Sequence, residues 1–147
     1  MKKNVGFNVE ILGAIGHLLT VTITHADLTE TTPGDPQVIE MFNAEGKFAQ
    51  LLDFKVDEPF SDASDATFDL TTVTVGDSDV DRYLATTELN GNGSYVALGN
   101  GLQVRHAYPS ADTVDITFTP KAGDALNLLD RGQMRLRFLV SEYPPAT

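Results

Sequence analysis

Hydrophobic and polar residues alternate over two stretches in the C-terminal third of the chain. Each stretch has one apolar row, formed by Val114, Ile116 and Phe118 in the first and by Met134, Leu136, Phe138 and Val140 in the second. Because side chains along a β-strand point alternately to opposite faces, this pattern predicts two strands that each turn one row towards a core. If the strands are neighbours, the outward Asp115 is expected to face Arg135 or Arg137.

The segment between these strands predicts one short helix near residues 124–132. Asp124 is a residue type that caps helix N-termini, and Gly132 suits the left-handed position after a helix. The residues between them supply an apolar stripe of Ala125, Leu126, Leu128 and Leu129. We expect this helix to cover one end of the domain.

Shorter alternating stretches separated by turn sequences run through the rest of the chain. Strands are predicted within residues 5–11, 19–24, 48–56 and 73–75, with Pro59 ending the third and a β-bulge between Leu70 and Val73. This arrangement favours an all-β fold, a single-domain antiparallel β-sandwich of the jelly-roll-like kind over residues 17–147. Residues 1–16 are predicted to form an N-terminal arm or an added strand.

Length and charge limit the classes of function. A chain of 147 residues suits one domain, and no apolar run approaches the roughly 18 residues of a membrane-spanning helix. The net charge of −11 argues against nucleic-acid binding, which depends on clustered Lys and Arg. Without cysteine, disulfides and thiolate metal sites are excluded. We expect no cofactor, no nucleic acid and no membrane among the partners.

One acidic stretch resembles a calcium-binding loop in its spacing. Asp77, Asp79 and Asp81 stand at loop positions 1, 3 and 5, and Glu88 stands at position 12. Position 6 is Arg82, where the sharp turn of such a loop requires glycine. The sequence therefore favours an acidic surface turn over a calcium site.

No catalytic pattern stands out. The three histidines, His17, His25 and His106, have no metal-ligand spacing, and no serine lies in a nucleophile motif. We therefore expect a protein that is not an enzyme. A carbohydrate-binding surface stays open as an alternative, because aromatic rings stack on sugars and the chain contains Tyr83, Tyr95, Tyr108 and Tyr143.

Two regions resemble small virion proteins of tailed bacteriophages. Leu70–Asp77 followed by Asp81–Ala85 is similar to a strand-and-turn motif of these proteins. Thr117–Gly123 and Leu129–Leu136 resemble their C-terminal part. The resemblance implies a capsid decoration, or cement, protein, and such proteins are often β-sandwich trimers on the outside of the head.

This resemblance implies the major capsid protein as partner, a homotrimeric state, and a location on the capsid exterior after synthesis in the host cytoplasm. A phage tail or fibre component is the structural alternative. Strand addition gives affinity through backbone hydrogen bonds. Val5, Phe7, Val9 and Ile11 of the N-terminal segment are therefore expected at an interface. The outward Arg135 and Arg137 are expected there as well.

Overall fold

A computed structural model describes residues 2–4, 7–11, 16–62, 71–89 and 105–142. For residues 2–4 and 7–11 only the backbone is described. The strands in these ranges are β1 (Lys2–Asn4), β2 (Phe7–Ile11), β3 (His17–Thr24), β4 (Gln37–Asn43), β5 (Lys47–Ser61), β6 (Thr72–Gly76), β7 (Leu84–Glu88), β8 (His106–Tyr108), β9 (Thr113–Thr119) and β10 (Arg131–Glu142).

The strands form two five-stranded sheets. The first has the order β1-β4-β9-β6-β7 and the second the order β2-β3-β10-β5-β8. All pairs are antiparallel except β1 with β4, which is parallel. Most consecutive strands belong to different sheets, and only β2–β3 and β6–β7 pair as neighbours in the chain. The all-β sandwich predicted from the sequence is confirmed.

The core lies between the two sheets and is built from the inward rows of the alternating strands. Ile116 and Phe118 of β9 and Leu136 and Phe138 of β10 have no exposed surface. The Phe138 ring meets the Tyr83 ring edge to face at 6.0 Å between centroids. The sequence periodicity therefore identified the buried rows correctly.

Strand β5 continues to Ser61, so the prediction that Pro59 ends it is wrong. Pro59 lies between Glu58 and Ser61, where the pairing of β5 with β10 is irregular, and such an irregularity tolerates a proline that has no N–H to donate. A bulge lies at Leu52, because Phe138 pairs with Leu51 and Arg137 with Asp53. The bulge predicted between Leu70 and Val73 begins at a residue outside the described ranges.

The helix predicted near 124–132 is wrong in extent. Only Leu126–Leu128 form a single 3-10 turn, the N-cap of this turn is Ala125 rather than Asp124, and β10 begins at Arg131. Leu126 and Leu129 are both buried, and a spacing of three fits a 3-10 turn as well as an α-helix. Gly132 has a positive φ of 138° within β10 rather than after a helix.

The expected pairing of Asp115 with Arg135 or Arg137 is also wrong. β9 and β10 belong to different sheets, so their outward rows lie on opposite outer faces. The arginines instead pair with carboxylates of β5, Arg135 with Asp57 and Arg137 with Asp53. The strand periodicity indicated which side chains point outwards, but not which strands are neighbours.

Gln37 is a buried polar residue that ties a loop to β4. Its side-chain oxygen accepts the N–H groups of Thr29 and Glu30 at 2.8 and 3.0 Å. Its side-chain nitrogen donates to the Asp27 carbonyl at 2.9 Å. The side-chain amide therefore supplies hydrogen-bond partners for three backbone groups of the loop.

Replacing Gln37 with glutamate is expected to lower the free energy of unfolding by about 2 kcal/mol. The carboxylate keeps the two acceptor contacts but loses the donor and faces the Asp27 carbonyl oxygen. Urea unfolding measures the effect. Gln50→Glu, on the outer face of β5, is the matched control and should change stability by no more than about 0.5 kcal/mol. Equal effects at both positions would contradict the role of Gln37.

Candidate functional site

The most distinctive polar arrangement in the described part of the chain is a buried cluster around Asp77. This residue follows β6, and its side chain is fully buried. Its Oδ2 accepts hydrogen bonds from the Tyr108 hydroxyl and from Arg82 Nε, both at 2.6 Å. The Tyr83 hydroxyl lies 2.5 Å from that of Tyr108. We call Asp77, Arg82, Tyr83 and Tyr108 the Asp77 cluster.

The hydrogen bonds of the Asp77 cluster have a defined direction. The Tyr108 hydroxyl has one proton and donates it to Asp77, so it accepts from the Tyr83 hydroxyl. Tyr83 also lies 3.4 Å from the Ala49 carbonyl, a longer second contact. Because Tyr108 belongs to β8 and Asp77 follows β6, the chain of hydrogen bonds connects the two sheets.

The electrostatics of the cluster keep Asp77 ionised and both phenols neutral. Burial opposes ionisation of Asp77, but the hydrogen bonds from Arg82, Tyr108 and the Asp79 N–H outweigh it and hold the pKa below its usual value. Burial raises the pKa of Tyr83 to about 12. Burial and the contact with Asp77 raise the pKa of Tyr108 as well. The arrangement suits a structural connection, because the carboxylate has no exposed surface.

Alkaline titration of the folded protein is expected to leave Tyr83 and Tyr108 neutral well above the ordinary phenol pKa of 10.0. A phenol with a raised folded pKa stabilises the fold below its unfolded pKa, and this contribution disappears as the pH rises through the folded value. Stability should therefore fall between about pH 10 and pH 12. Tyrosinate absorbance measures the ionisation. Ionisation of all four tyrosines near pH 10 while the protein is still folded would contradict this prediction.

The 77–83 loop, defined as residues 77–83, is held in a compact turn. The Asp79 carbonyl accepts the N–H groups of Asp77 and Arg82, both at 3.1 Å. Gly76 precedes the loop, and a Cβ there would lie 2.1 Å from the Asp79 oxygen. This close approach requires glycine.

The structure does not assemble the candidate calcium ligands. Asp77 is engaged inside the cluster, while Asp79 and Asp81 are exposed. Glu88 pairs with Thr72 at the far end of β6, roughly 13 Å along the strand from the loop. Across the ranges that the structure describes, no group of three or more His, Asp or Glu side chains could hold a metal ion.

The histidines occupy separate places. His17 begins β3, His25 follows the same strand, and the His106 ring meets the Tyr108 ring at 4.7 Å between centroids. His17 borders a cleft of about 310 Å³ at one end of the sandwich, whose lining includes Leu19, Phe42, Val140 and Glu142. The lining is mainly apolar.

The structure makes two of the four tyrosines unsuitable for sugar stacking. Tyr83 has no exposed surface and Tyr108 only 3%. Both hydroxyls are buried in the Asp77 cluster rather than in contact with water. Tyr95 and Tyr143 lie outside the described residues. The carbohydrate-binding alternative therefore loses part of its basis.

Arg135 and Arg137 lie on the outer face of the second sheet, as an interface role requires, but both have partners within the chain. Arg135 makes two hydrogen bonds with Asp57, at 2.7 and 2.8 Å, and this contact holds the pKa of Asp57 below its usual value. Arg137 binds Asp53 in the same two-pronged way. These pairs form a row of charges across β10 and β5.

The N-terminal segment contributes an edge strand to each sheet. Lys2–Asn4 pair with β4 and Phe7–Ile11 with β3 of the same chain. Val5 and the side chains of Phe7, Val9 and Ile11 lie outside the described residues. The division into an arm of residues 1–16 and a domain of residues 17–147 stays a prediction.

Sequence reasoning did not find the Asp77 cluster. The spacing of acids drew attention to Asp77, and the unexpected Arg82 was the signal that a carboxylate here has a protein partner. Tyr108 lies far along the chain and becomes a neighbour only through the packing of the two sheets.

The two 3-10 turns in the described part of the chain, His25–Asp27 and Leu126–Leu128, are too short to cross a membrane. Comparison of the chain with protein-family models, with curated proteins and with solved structures finds no match.

Proposed function

We propose that this chain is a bacteriophage capsid decoration protein. It binds the outer surface of the major capsid protein shell as a homotrimer and stabilises the head without catalysing a reaction. The proposal derives from the resemblance to small virion proteins of Leu70–Asp77 with Asp81–Ala85, and of Thr117–Gly123 with Leu129–Leu136. A tail or fibre component and a carbohydrate-binding module are the alternatives.

One structural observation supports the proposal in addition to the sequence resemblance. The two resembling regions lie far apart in the chain, yet they meet as hydrogen-bonded neighbours, because β6 pairs with β9. Thr72 pairs with Thr119, and Thr74 pairs with Thr117. The β6 and β9 residues that carry the resemblance therefore belong to one structural unit, whereas Leu129–Leu136 runs into β10 of the second sheet.

The placement of the N-terminal segment is consistent with attachment by strand exchange. Its two short strands lie at one edge of each sheet and pair through the backbone. Edge strands of this kind are suited to pair instead with a neighbouring subunit or a capsid protein. This is the segment that we expect to contribute most to capsid binding.

Binding to heads tests the proposed function directly. Heads assembled from the major capsid protein encoded with this chain are mixed with purified protein, and the bound copies are counted after sedimentation. We expect the number of bound copies per head to reach a maximum that the symmetry of the capsid sets. Deleting residues 1–16 should abolish binding, provided that circular dichroism shows a folded variant. An undiminished occupancy would refute the role of the segment.

The alternatives give different results. A tail or fibre component would appear in few copies per virion, and a carbohydrate-binding module would bind glycan arrays. Light scattering after size exclusion measures the oligomeric state, and a monomer at all concentrations would contradict the homotrimer.

A further inference from the structure

The 77–83 loop exposes an apolar side chain at one end of the sandwich. Val80 is 60% exposed, and among the described residues the other large hydrophobic side chain with such exposure is Leu128, at 53%. Val80 lies at the end where β9 begins, whereas Leu128 follows β9 at the opposite end. Asp79 and Asp81 flank Val80 and are exposed as well.

A groove of about 160 Å³ lies beside Val80 on the outer face of the first sheet. It runs between the 77–83 loop, β9 and β4. Its lining includes the aliphatic Val38 and Val80 together with Asp115 and Thr117 from the outward row of β9, and Asp115 Oδ1 also accepts a hydrogen bond from the Thr113 hydroxyl at 2.9 Å. An aliphatic wall beside a carboxylate matches the two parts of a lysine or arginine side chain.

The charges around the groove favour a basic partner. β4, β9, β6 and β7 carry Glu40, Asp115 and Glu88 and contain neither Lys nor Arg. The basic residues of this sheet are Lys2 and Lys3 of its edge strand β1, and Lys2 pairs with Val38 beside the groove. Within the loop, Arg82 is engaged by Asp77, whereas the two aspartates beside Val80 are exposed.

The loop is also rigid enough to bind with little loss of conformational entropy. The Asp77 cluster fixes both of its ends, and the Asp79 carbonyl closes it internally. A surface that is already ordered retains more of its contact energy on binding than one that must become ordered.

We propose that the 77–83 loop and the adjoining groove form a docking surface for a basic segment of a partner protein. A lysine or arginine side chain of the partner lies along Val38 and Val80, with its cationic group towards the Asp115 carboxylate. This inference rests on the proposed function in one respect, since the partner is then a basic segment on the outside of the major capsid protein.

Two matched pairs of variants test the surface on capsid heads. Val80→Ser is expected to weaken binding about tenfold, the loss typical of an apolar anchor. Leu128→Ser, a similar change at the opposite end, should leave it unchanged. Asp79→Asn with Asp81→Asn should slow association several-fold and reduce its salt dependence, whereas Asp35→Asn should not. Wild-type binding by Val80→Ser and by the double variant would overturn the docking surface but leave the proposed function intact.

A second probe separates the two proposals. Isotope-labelled protein is titrated with the peptide acetyl-Lys-Val-Lys-amide at low salt, and its amide resonances are followed. We expect shifts confined to residues 76–83, 38 and 115–117, and their loss in Val80→Ser. If heads bind no protein, the proposed function fails and this titration decides the docking surface alone. Absent or scattered shifts would then overturn it.

Discussion

Replacing Asp77 with alanine is expected to lower the free energy of unfolding by about 3 kcal/mol. The change leaves the Tyr108 hydroxyl without its acceptor and removes the carboxylate that pairs with Arg82. Removing one member of a buried pair costs more than the pair contributes, because the remaining polar groups stay desolvated. For a chain of this length, the midpoint of thermal unfolding, Tm, should fall by roughly 6–12 °C.

The neighbouring aspartate provides the control for this variant. Asp79 is exposed and lies in the same loop, so Asp79→Ala should change stability by less than about 0.5 kcal/mol. A double-mutant cycle of Asp77→Ala with Tyr108→Phe should give a coupling energy of about 1–2 kcal/mol. Strictly additive effects would show that the two side chains do not act as one cluster.

The pH dependence of stability gives an independent readout of Asp77. Its folded pKa lies below the ordinary value of 3.8, so its stabilisation is fully present above that pH. The contribution is lost as the pH falls from 3.8 through the lower folded pKa. Wild-type protein should therefore lose stability in acid more steeply than Asp77→Ala, as measured by urea unfolding at a series of pH values.

The sequence predicted the layers of the fold but not the neighbours within them. Alternation in β9 and β10 identified Ile116 and Phe138 as inward residues, because strand periodicity depends only on local geometry. Which sheet a strand joins depends on the path of the chain between strands. The pairing of Arg135 with Asp57 rather than with Asp115 follows from that path, so it could not be read from the periodicity.

The features of the candidate site that the sequence did not predict have a similar origin. The acidic spacing around Asp77 was visible, yet its meaning depended on burial and on Tyr108, which packing brings from a distant part of the chain. The apolar spacing of Leu126 and Leu129 fitted a helix and a 3-10 turn equally well. Long-range packing decided both outcomes, and local pattern alone does not encode it.

Replacing Gly132 with alanine is expected to lower the free energy of unfolding by about 2–4 kcal/mol. Its φ of 138° is strained for any residue with a Cβ. The added Cβ would also lie 2.5 Å from two ring atoms of Phe60 and 2.9 Å from its Cα. The ring has little room to move, because Phe60 is fully buried and lies 5.8 Å from the Phe118 ring.

Gly123 separates the two causes of this cost. It also has a positive φ, of 93°, but nothing lies within 4 Å of the position of an added Cβ. Gly123→Ala should therefore cost only the backbone strain, about 1 kcal/mol, and the difference between the two variants measures the contact with Phe60. Adding Phe60→Leu to Gly132→Ala should cost less than the sum of the single changes, because the smaller side chain relieves part of the overlap. If Gly132→Ala destabilises the protein no more than Gly123→Ala in urea unfolding, the close packing of β10 against Phe60 is not what requires glycine there.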